Sequence, residues 1–234
     1  MKRVITAVAA AVFSASAAGA QVLNFEGVNA NYPSGFAFLN GFYNGGTSSD
    51  GTTGTNYGIT FSSNAQAICL NSQTVFCSNT SRGGLGNVNS QRGDLFFLSG
   101  SQTFMNRAAG FTNGFSFFYS AVNSGGSFTV WSGLNGTGTA LGTLLLPTTS
   151  GSCPGYSAGF CPFVAAGLAF SGTAQSVSFA GAADQIVFDD VTFGSDIPDV
   201  PQNVVPEPAT IVLMGTGLLA LGAVARRRRN TTSV

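Results

Sequence analysis

The chain has 234 residues, with nine basic and nine acidic side chains, four cysteines, 32 glycines, 21 phenylalanines and no histidine. Only 8% of it is charged, so it lacks the dense lysine and arginine footprint that nucleic-acid binding requires. The missing histidine removes Ser-His-Asp and Cys-His catalysis and the helical zinc-protease motifs, and the lack of any lysine after Lys2 removes lysine-based chemistry.

Residues 1–20 read as a secretory signal peptide: Met1-Lys2-Arg3 is a positive start, residues 4–17 are apolar, and Ala18-Gly19-Ala20 is a small-residue cleavage site ahead of Gln21. Setting aside Lys2, Arg3 and the four arginines near the C-terminus changes the charge balance. Arg82, Arg92 and Arg107 then face nine acids, a net charge of −6. The exported part is therefore acidic, although the whole chain is formally neutral. Residues 21–197 are long enough for one domain with a real core.

A first strand is expected over residues 21–26. A glycine- and threonine-rich loop (44–56) leads into an alternating strand at 57–62. Residues 68–70 and 74–77 are expected to form a small hairpin, and the apolar run 94–98 to be buried on both sides. The clearest strand patterns are 114–120 and 127–132, separated by a turn at Asn123-Ser124-Gly125-Gly126. A strand at 141–146 stops at Pro147, and further strands are expected at 167–171, 175–180 and 184–193. Strands recurring at this spacing with turn chemistry between them predict an all-β fold, an antiparallel sandwich. Nothing between residues 21 and 200 has sustained helical periodicity. Residues 198–204 read as an extended, proline-containing linker.

Four cysteines fall in two clusters, Cys69 with Cys77 and Cys153 with Cys161. In an exported chain an even count reads as disulfides. Three pairings are possible, and the two local ones, each closing a short loop, are preferred. A four-thiolate zinc site needs tighter spacing within each pair.

The C-terminal stretch joins three parts with different physics. Val205, Pro206, Glu207 and Pro208 form a stiff polar turn. Residues 211–225 are uncharged and read as a short transmembrane helix, and Arg226, Arg227, Arg228 and Arg229 follow at once as a cytoplasmic stop. Residues 230–234 form a tail. A Pro-Glu-Pro turn, a short span and an arginine cluster in this order resemble the PEP-CTERM sorting signal of Gram-negative bacteria (205–229). The resemblance implies that an exosortase, a membrane-embedded cysteine transpeptidase, recognises Pro206, Glu207 and Pro208 and cuts near them. The span would then be a temporary inner-membrane anchor on the way to the outer surface or extracellular matrix; an ordinary single-pass anchor is the simpler alternative. The last strands, with Asp189-Asp190 between apolar residues, also resemble those of many PEP-CTERM proteins, whose domains are thought to be jelly-roll, carbohydrate-binding-module-like sandwiches.

Other motifs weigh less. Gly155-Tyr156-Ser157-Ala158-Gly159 fits the pattern of a hydrolase nucleophile elbow, but it lies between two cysteines and the chain has no histidine base. The glycine-rich stretch 133–142 lacks the phosphate-loop lysine and reads as a hairpin turn. Glu26 with Asp189 or Asp190 is the carboxylate set from which a glycosidase pair would be drawn. The same three residues could ligate calcium, a hard cation that takes oxygen ligands, or simply be hydrated acids at strand ends. Trp131 and Tyr119, with Tyr43 and Tyr57, would make a sugar-stacking platform if they face outward, although aromatics in alternating strands more often belong to the core. The composite expectation is an exported, non-enzymatic protein that needs no cofactor. The association of its family with exopolysaccharide and biofilm implies a structural or adhesive role. A lectin-like carbohydrate-binding module, calcium-dependent or not, is the rival reading.

Overall fold

The computed structural model describes residues 21–31, 35–71, 84–150 and 159–198. The expected signal peptide, the sorting signal and nearly all of the linker lie outside these residues.

Among the described residues there is no α-helix, and twelve strands form two antiparallel sheets. They are β1 (Val22–Leu23), β2 (Phe36–Phe38), β3 (Ile59–Phe61), β4 (Gln66–Ile68), β5 (Asp94–Phe96), β6 (Gln102–Phe111), β7 (Gly114–Ala121), β8 (Gly126–Trp131), β9 (Ala140–Leu146), β10 (Val164–Ala169), β11 (Ala174–Gly181) and β12 (Ile186–Phe193). The first sheet runs β10-β7-β12-β5-β4-β2, with β1 also paired to β12. The second runs β3-β6-β11-β8-β9.

Alternation along the strands explains the layering. In β7, Phe115, Phe117 and Tyr119 enter the core, and in β11 Val177 and Phe179 do the same from the facing sheet. Aromatic edge-to-face packing joins the two layers. The Phe117 ring lies 4.8 Å from Phe128 and 5.4 Å from Phe188, and Phe179 lies 4.7 Å from Phe188. Such pairs add to area burial because ring edges meet ring faces.

β12 breaks its own alternation once. Ile186 and Phe188 enter the core, and so do Val191 and Phe193. Between them the register against β7 shifts, and Asp190 adopts a left-handed backbone with φ 47°. This is a β-bulge, which inserts one residue and re-aims its neighbours. Asp189 and Asp190 share hydrogen-bonding partners away from the aromatic core.

The outer face of the first sheet is also covered. Ile68, Leu70, Phe96, Val122, Phe160 and Val187 form a second apolar cluster there, with Phe163 against it. Gly84 bridges Phe160 in parallel fashion and ties two covering segments together. A Cβ on Gly84 would meet the Phe160 carbonyl oxygen at 2.7 Å, so this approach requires glycine.

Several elements fall where the sequence carries no clear signal. β4 pairs with β2 on one side and β5 on the other; residues 74–77, the expected hairpin partner of 68–70, lie outside the described ones. The turn expected at 123–126 carries the chain from one sheet to the other, because β7 and β8 belong to different sheets. Its glycines allow tight packing at the crossing: a Cβ on Gly126 would meet the Ala180 carbonyl oxygen at 2.1 Å. β2 and β6 were not foreseen. β6 lies inside the second sheet between β3 and β11, yet Asn106, Arg107, Ala108, Ala109 and Gly110 give it no apolar period of two. By contrast, the 133–142 stretch does close the β8–β9 hairpin. It is pinned to β6 by a reciprocal amide pair, in which Asn106 Nδ2 donates to Asn135 Oδ1 at 2.8 Å and the Asn135 N–H donates to Asn106 Oδ1 at 2.7 Å.

Phe117 touches aromatic rings from both sheets, so Phe117→Ala is expected to cost about 3–5 kcal/mol. Guanidinium denaturation of the full-length protein checks this; a loss below about 1 kcal/mol would show that the two-layer packing is not what holds the sheets together.

Candidate functional site

The outer side of the first sheet gathers the domain's unusual chemistry. Asp94 on β5 and Asp189 and Asp190 on β12 are each 0% exposed, and Glu26, just past β1, is half-buried nearby. Each is delivered by a specific backbone feature. The bulge brings Asp189 and Asp190 out together. Glu26 follows Phe25, whose backbone is left-handed at φ 53°. Gly93 lets this turn pack closely, since a Cβ there would meet the Phe25 carbonyl oxygen at 2.2 Å.

Two neutral side chains hold the Asp189–Asp190 pair. Asn87 Nδ2 donates to Asp189 Oδ2 at 3.0 Å and to Asp190 Oδ2 at 2.8 Å. The Ser90 hydroxyl contacts both as well, Asp189 closely and Asp190 Oδ1 at 3.0 Å. The Asp190 N–H donates to Asp189 Oδ1 at 2.7 Å, and the Arg92 N–H donates to Glu26 Oε1 at 2.6 Å. Asp94 differs from the others, because neither of its carboxylate oxygens has a partner.

The electrostatics follow from this packing. Burial pushes the Asp94 carboxyl well above the usual carboxylate range, and the charges of Glu26 and Asp190 push it further. Burial does the same to Asp189, with added repulsion from Asp94 and Asp190. Asp190 is raised to about 6, again chiefly by burial, while Ser90 and Asn87 pull it down. Burial also raises Glu26, against the backbone N–H of Arg92. The acids thus lie within electrostatic reach of one another, with no buried cation to offset them among the described residues. No three acidic, histidine or cysteine side chains there already converge as a ready-made metal cage.

A cavity of about 390 Å³ lies next to the cluster. Phe118, Phe163, Pro162, Leu85 and Val88 give it apolar walls, and Asn71, Asn87 and Gln91 bring amides. Phe118 stands directly opposite Asp189 in the β7–β12 register. Asn87 belongs to both places, lining the cavity and holding the two carboxylates.

The expected site residues divide. The charge of Glu26 acts on Asp190, which is hydrogen-bonded to Asp189. Asp94 was missed, and its place at the head of an apolar run is the only signal that could have suggested a buried acid. The stacking role expected of Tyr119 is overturned: the ring is only 3% exposed in the core, and its hydroxyl donates to the Pro147 carbonyl oxygen at 3.2 Å. Tyr43 is likewise buried, with the Phe25 N–H donating to its hydroxyl. Trp131 is half-buried on the second sheet, its Nε1 donating to Ser178 Oγ at 3.2 Å. It stands on a different sheet from the cavity. Cys69 and Cys161 are buried and neither is free; Cys77 and Cys153 lie outside the described residues, and so do all but Gly159 of the 155–159 motif and the whole sorting signal. Among the described residues no helix is long and apolar enough to cross a membrane; the expected span 211–225 is not among them.

The carboxyl groups give a signed pH dependence. A carboxyl whose folded-state pKa is raised binds its proton more tightly in the folded chain. Its stabilising contribution is complete below the unfolded value of about 4 and is lost as pH rises through the folded value. Chelator-treated full-length protein should therefore melt at a lower temperature at pH 7 than at pH 4, with Asp190 acting near pH 6. A melting temperature that rises over this interval would contradict the burial of these acids.

Residues 204–229 match the PEP-CTERM protein-sorting motif. No curated protein matches the chain. Among solved structures, carbohydrate binding module CBM6cm-2 from Cellvibrio mixtus lichenase 5A, in complex with cellotriose, is 13% identical, with 47% of this chain and 82% of that one covered and a TM-score of 0.33. The K3 cleaved adhesin domain of Lys-gingipain from Porphyromonas gingivalis W83 is 14% identical, with 53% and 83% covered and a TM-score of 0.33. Those two likenesses are too slight to bear on site or activity. Residues 204–229 thus carry a PEP-CTERM sorting motif, from Pro206-Glu207-Pro208 to the arginine cluster, and the motif supports export.

Proposed function

We propose that this protein is a non-enzymatic surface or extracellular-matrix component, sorted by an exosortase-type transpeptidase and serving a structural or adhesive role in exopolysaccharide or biofilm. The observation that carries the reading is the match over residues 204–229, in which Pro206-Glu207-Pro208, an uncharged stretch and Arg226 to Arg229 occur in order. In this reading residues 211–225 anchor the chain in the inner membrane until it is cut. The sandwich is then released outward, with local disulfides Cys69–Cys77 and Cys153–Cys161 stapling it in an oxidising compartment. The absence of enzymatic activity is supported by where the acids lie. A glycosidase pair must meet both substrate and water, whereas Asp94, Asp189 and Asp190 are buried.

A second reading, a lectin-like module, is favoured by the cavity, where aromatic and amide side chains meet as they do in sugar sites. Its calcium dependence would come from the carboxylate cluster next to it. On a glycan array, Phe163→Ala is then expected to lose the signal and Trp131→Ala to keep it. The reverse outcome would move the binding face to the second sheet, and an array with no signal for the parent protein would remove the lectin reading.

Replacing Pro206, Glu207 and Pro208 with alanine should leave the chain in the membrane with its arginines attached, while the parent protein loses them. Intact-mass spectrometry from the native host reads this directly. Identical C-termini in the two proteins would refute processing at this turn.

A further inference from the structure

The carboxylate cluster poses a problem of charge and of hydrogens. Four acids act on one another electrostatically, and the side chains shared by Asp189 and Asp190 are one amide, Asn87, and one hydroxyl, Ser90, with Asn89 acting on Asp190 alone. A hydroxyl has a single proton, so Ser90 can donate to only one of the two carboxylates that it contacts. Asp94 receives none: both its oxygens are buried without a partner, and its side chain is 0% exposed. An isolated buried carboxylate is costly, by several kcal/mol even after relaxation, and the charges that act on Asp94 are those of two other acids, Glu26 and Asp190. Such an enclosed carboxyl is satisfied either by a proton or by a cation, and only a cation can be shared with the neighbouring acids.

We infer that Glu26, Asp94, Asp189 and Asp190 form a binding site for a divalent cation, with calcium the preferred ion and Asp94 its central ligand. Calcium takes about six to eight oxygens in a flexible geometry, whereas magnesium demands a near-ideal octahedron and gives up water reluctantly. Four carboxylates from three separated segments suit the larger ion. Asn87 and Ser90 complete the oxygen supply. Turning the Asn87 amide over presents Oδ1 where Nδ2 now points, and the Ser90 oxygen has lone pairs to offer once its proton turns away. That rearrangement converts two hydrogen-bond donors into ligands.

The site's consequence is mechanical. Glu26 follows β1, Asp94 opens β5, and Asp189 and Asp190 lie in β12, so one ion would clamp the start of the domain to its last strand. Through Asn87 it would also set the wall of the adjoining cavity. The site goes beyond the expectation drawn from Glu26, Asp189 and Asp190, because Asp94 is the group that a shared cation would satisfy. It rests on the domain's own residues and on neither the sorting reading nor the glycan reading.

Calcium chloride titrated into EDTA-stripped full-length protein at pH 7 tests it, followed by calorimetry and thermal melting. A saturable heat with a single ion bound per chain and a rise in melting temperature is expected, with weaker binding of magnesium chloride. Asp94→Asn should weaken calcium at least about tenfold while the metal-free variant melts no lower than the parent, because the amide keeps the carboxyl's shape and cannot ionise in its buried place. Asp190→Asn should weaken calcium too, and Asp196→Asn, at an exposed position, should not. No heat and no change in melting temperature up to millimolar calcium, or an Asp94→Asn protein with parental affinity, would overturn the site. Since sorting is read from the C-terminus of the chain in its host, either result leaves that question separate.

Discussion

β12 is buried along its whole length, and the rest of the domain depends on how this one strand satisfies two different surroundings. Toward the core it supplies Ile186, Phe188, Val191 and Phe193 to the aromatic packing that joins the sheets. Away from the core it supplies Val187 to the second apolar cluster and Asp189 to the carboxylate site. A strand with strict alternation could not place two neighbouring acids together. The left-handed residue at Asp190 solves this by inserting one position, after which the apolar alternation resumes in phase with the core. Packing and chemistry therefore meet at a single bulge.

The domain stabilises itself with rings and turns in place of charge. Its core is built largely from phenylalanine, whose rings interlock across the sandwich. Serine and threonine occupy many outward positions, and side-chain hydroxyls and amides rather than ion pairs hold loops to strands, as Ser176 does by donating to the Gly133 carbonyl oxygen. In so uncharged a surrounding, the enclosed carboxylates are conspicuous. Burial, reinforced by their mutual repulsion, moves their protonation equilibria upward together.

Sorting and fold are carried by separate parts of the chain, and they obey different constraints. The tail needs only local order: a turn that resists helix, an uncharged stretch, and a positive stop. The sandwich needs contacts between residues far apart in sequence, such as Asn87 with Asp189 and Asp190. A substitution in one part leaves the other's requirements intact.

The sequence by itself determined the all-β class, most strand positions, the turn at 133–142 and the sorting motif, because each depends on near neighbours: alternation, glycine and proline geometry, and a run of like residues. It also offered Glu26 with Asp189 or Asp190 as a candidate carboxylate set. Tertiary structure alone decided that β6 enters the second sheet, since its polar and small residues carry no period and are held by strands on both sides. It alone decided that β7 and β8 part into different sheets, because a glycine turn allows either a hairpin or a crossing. Tyr119 turned inward because its strand alternates in phase with Phe115 and Phe117, and a phase relative to the core cannot be read from one strand. Asp94 was hidden for the same reason: whether an acid at the start of an apolar run meets water or other acids depends on what chain folds over it.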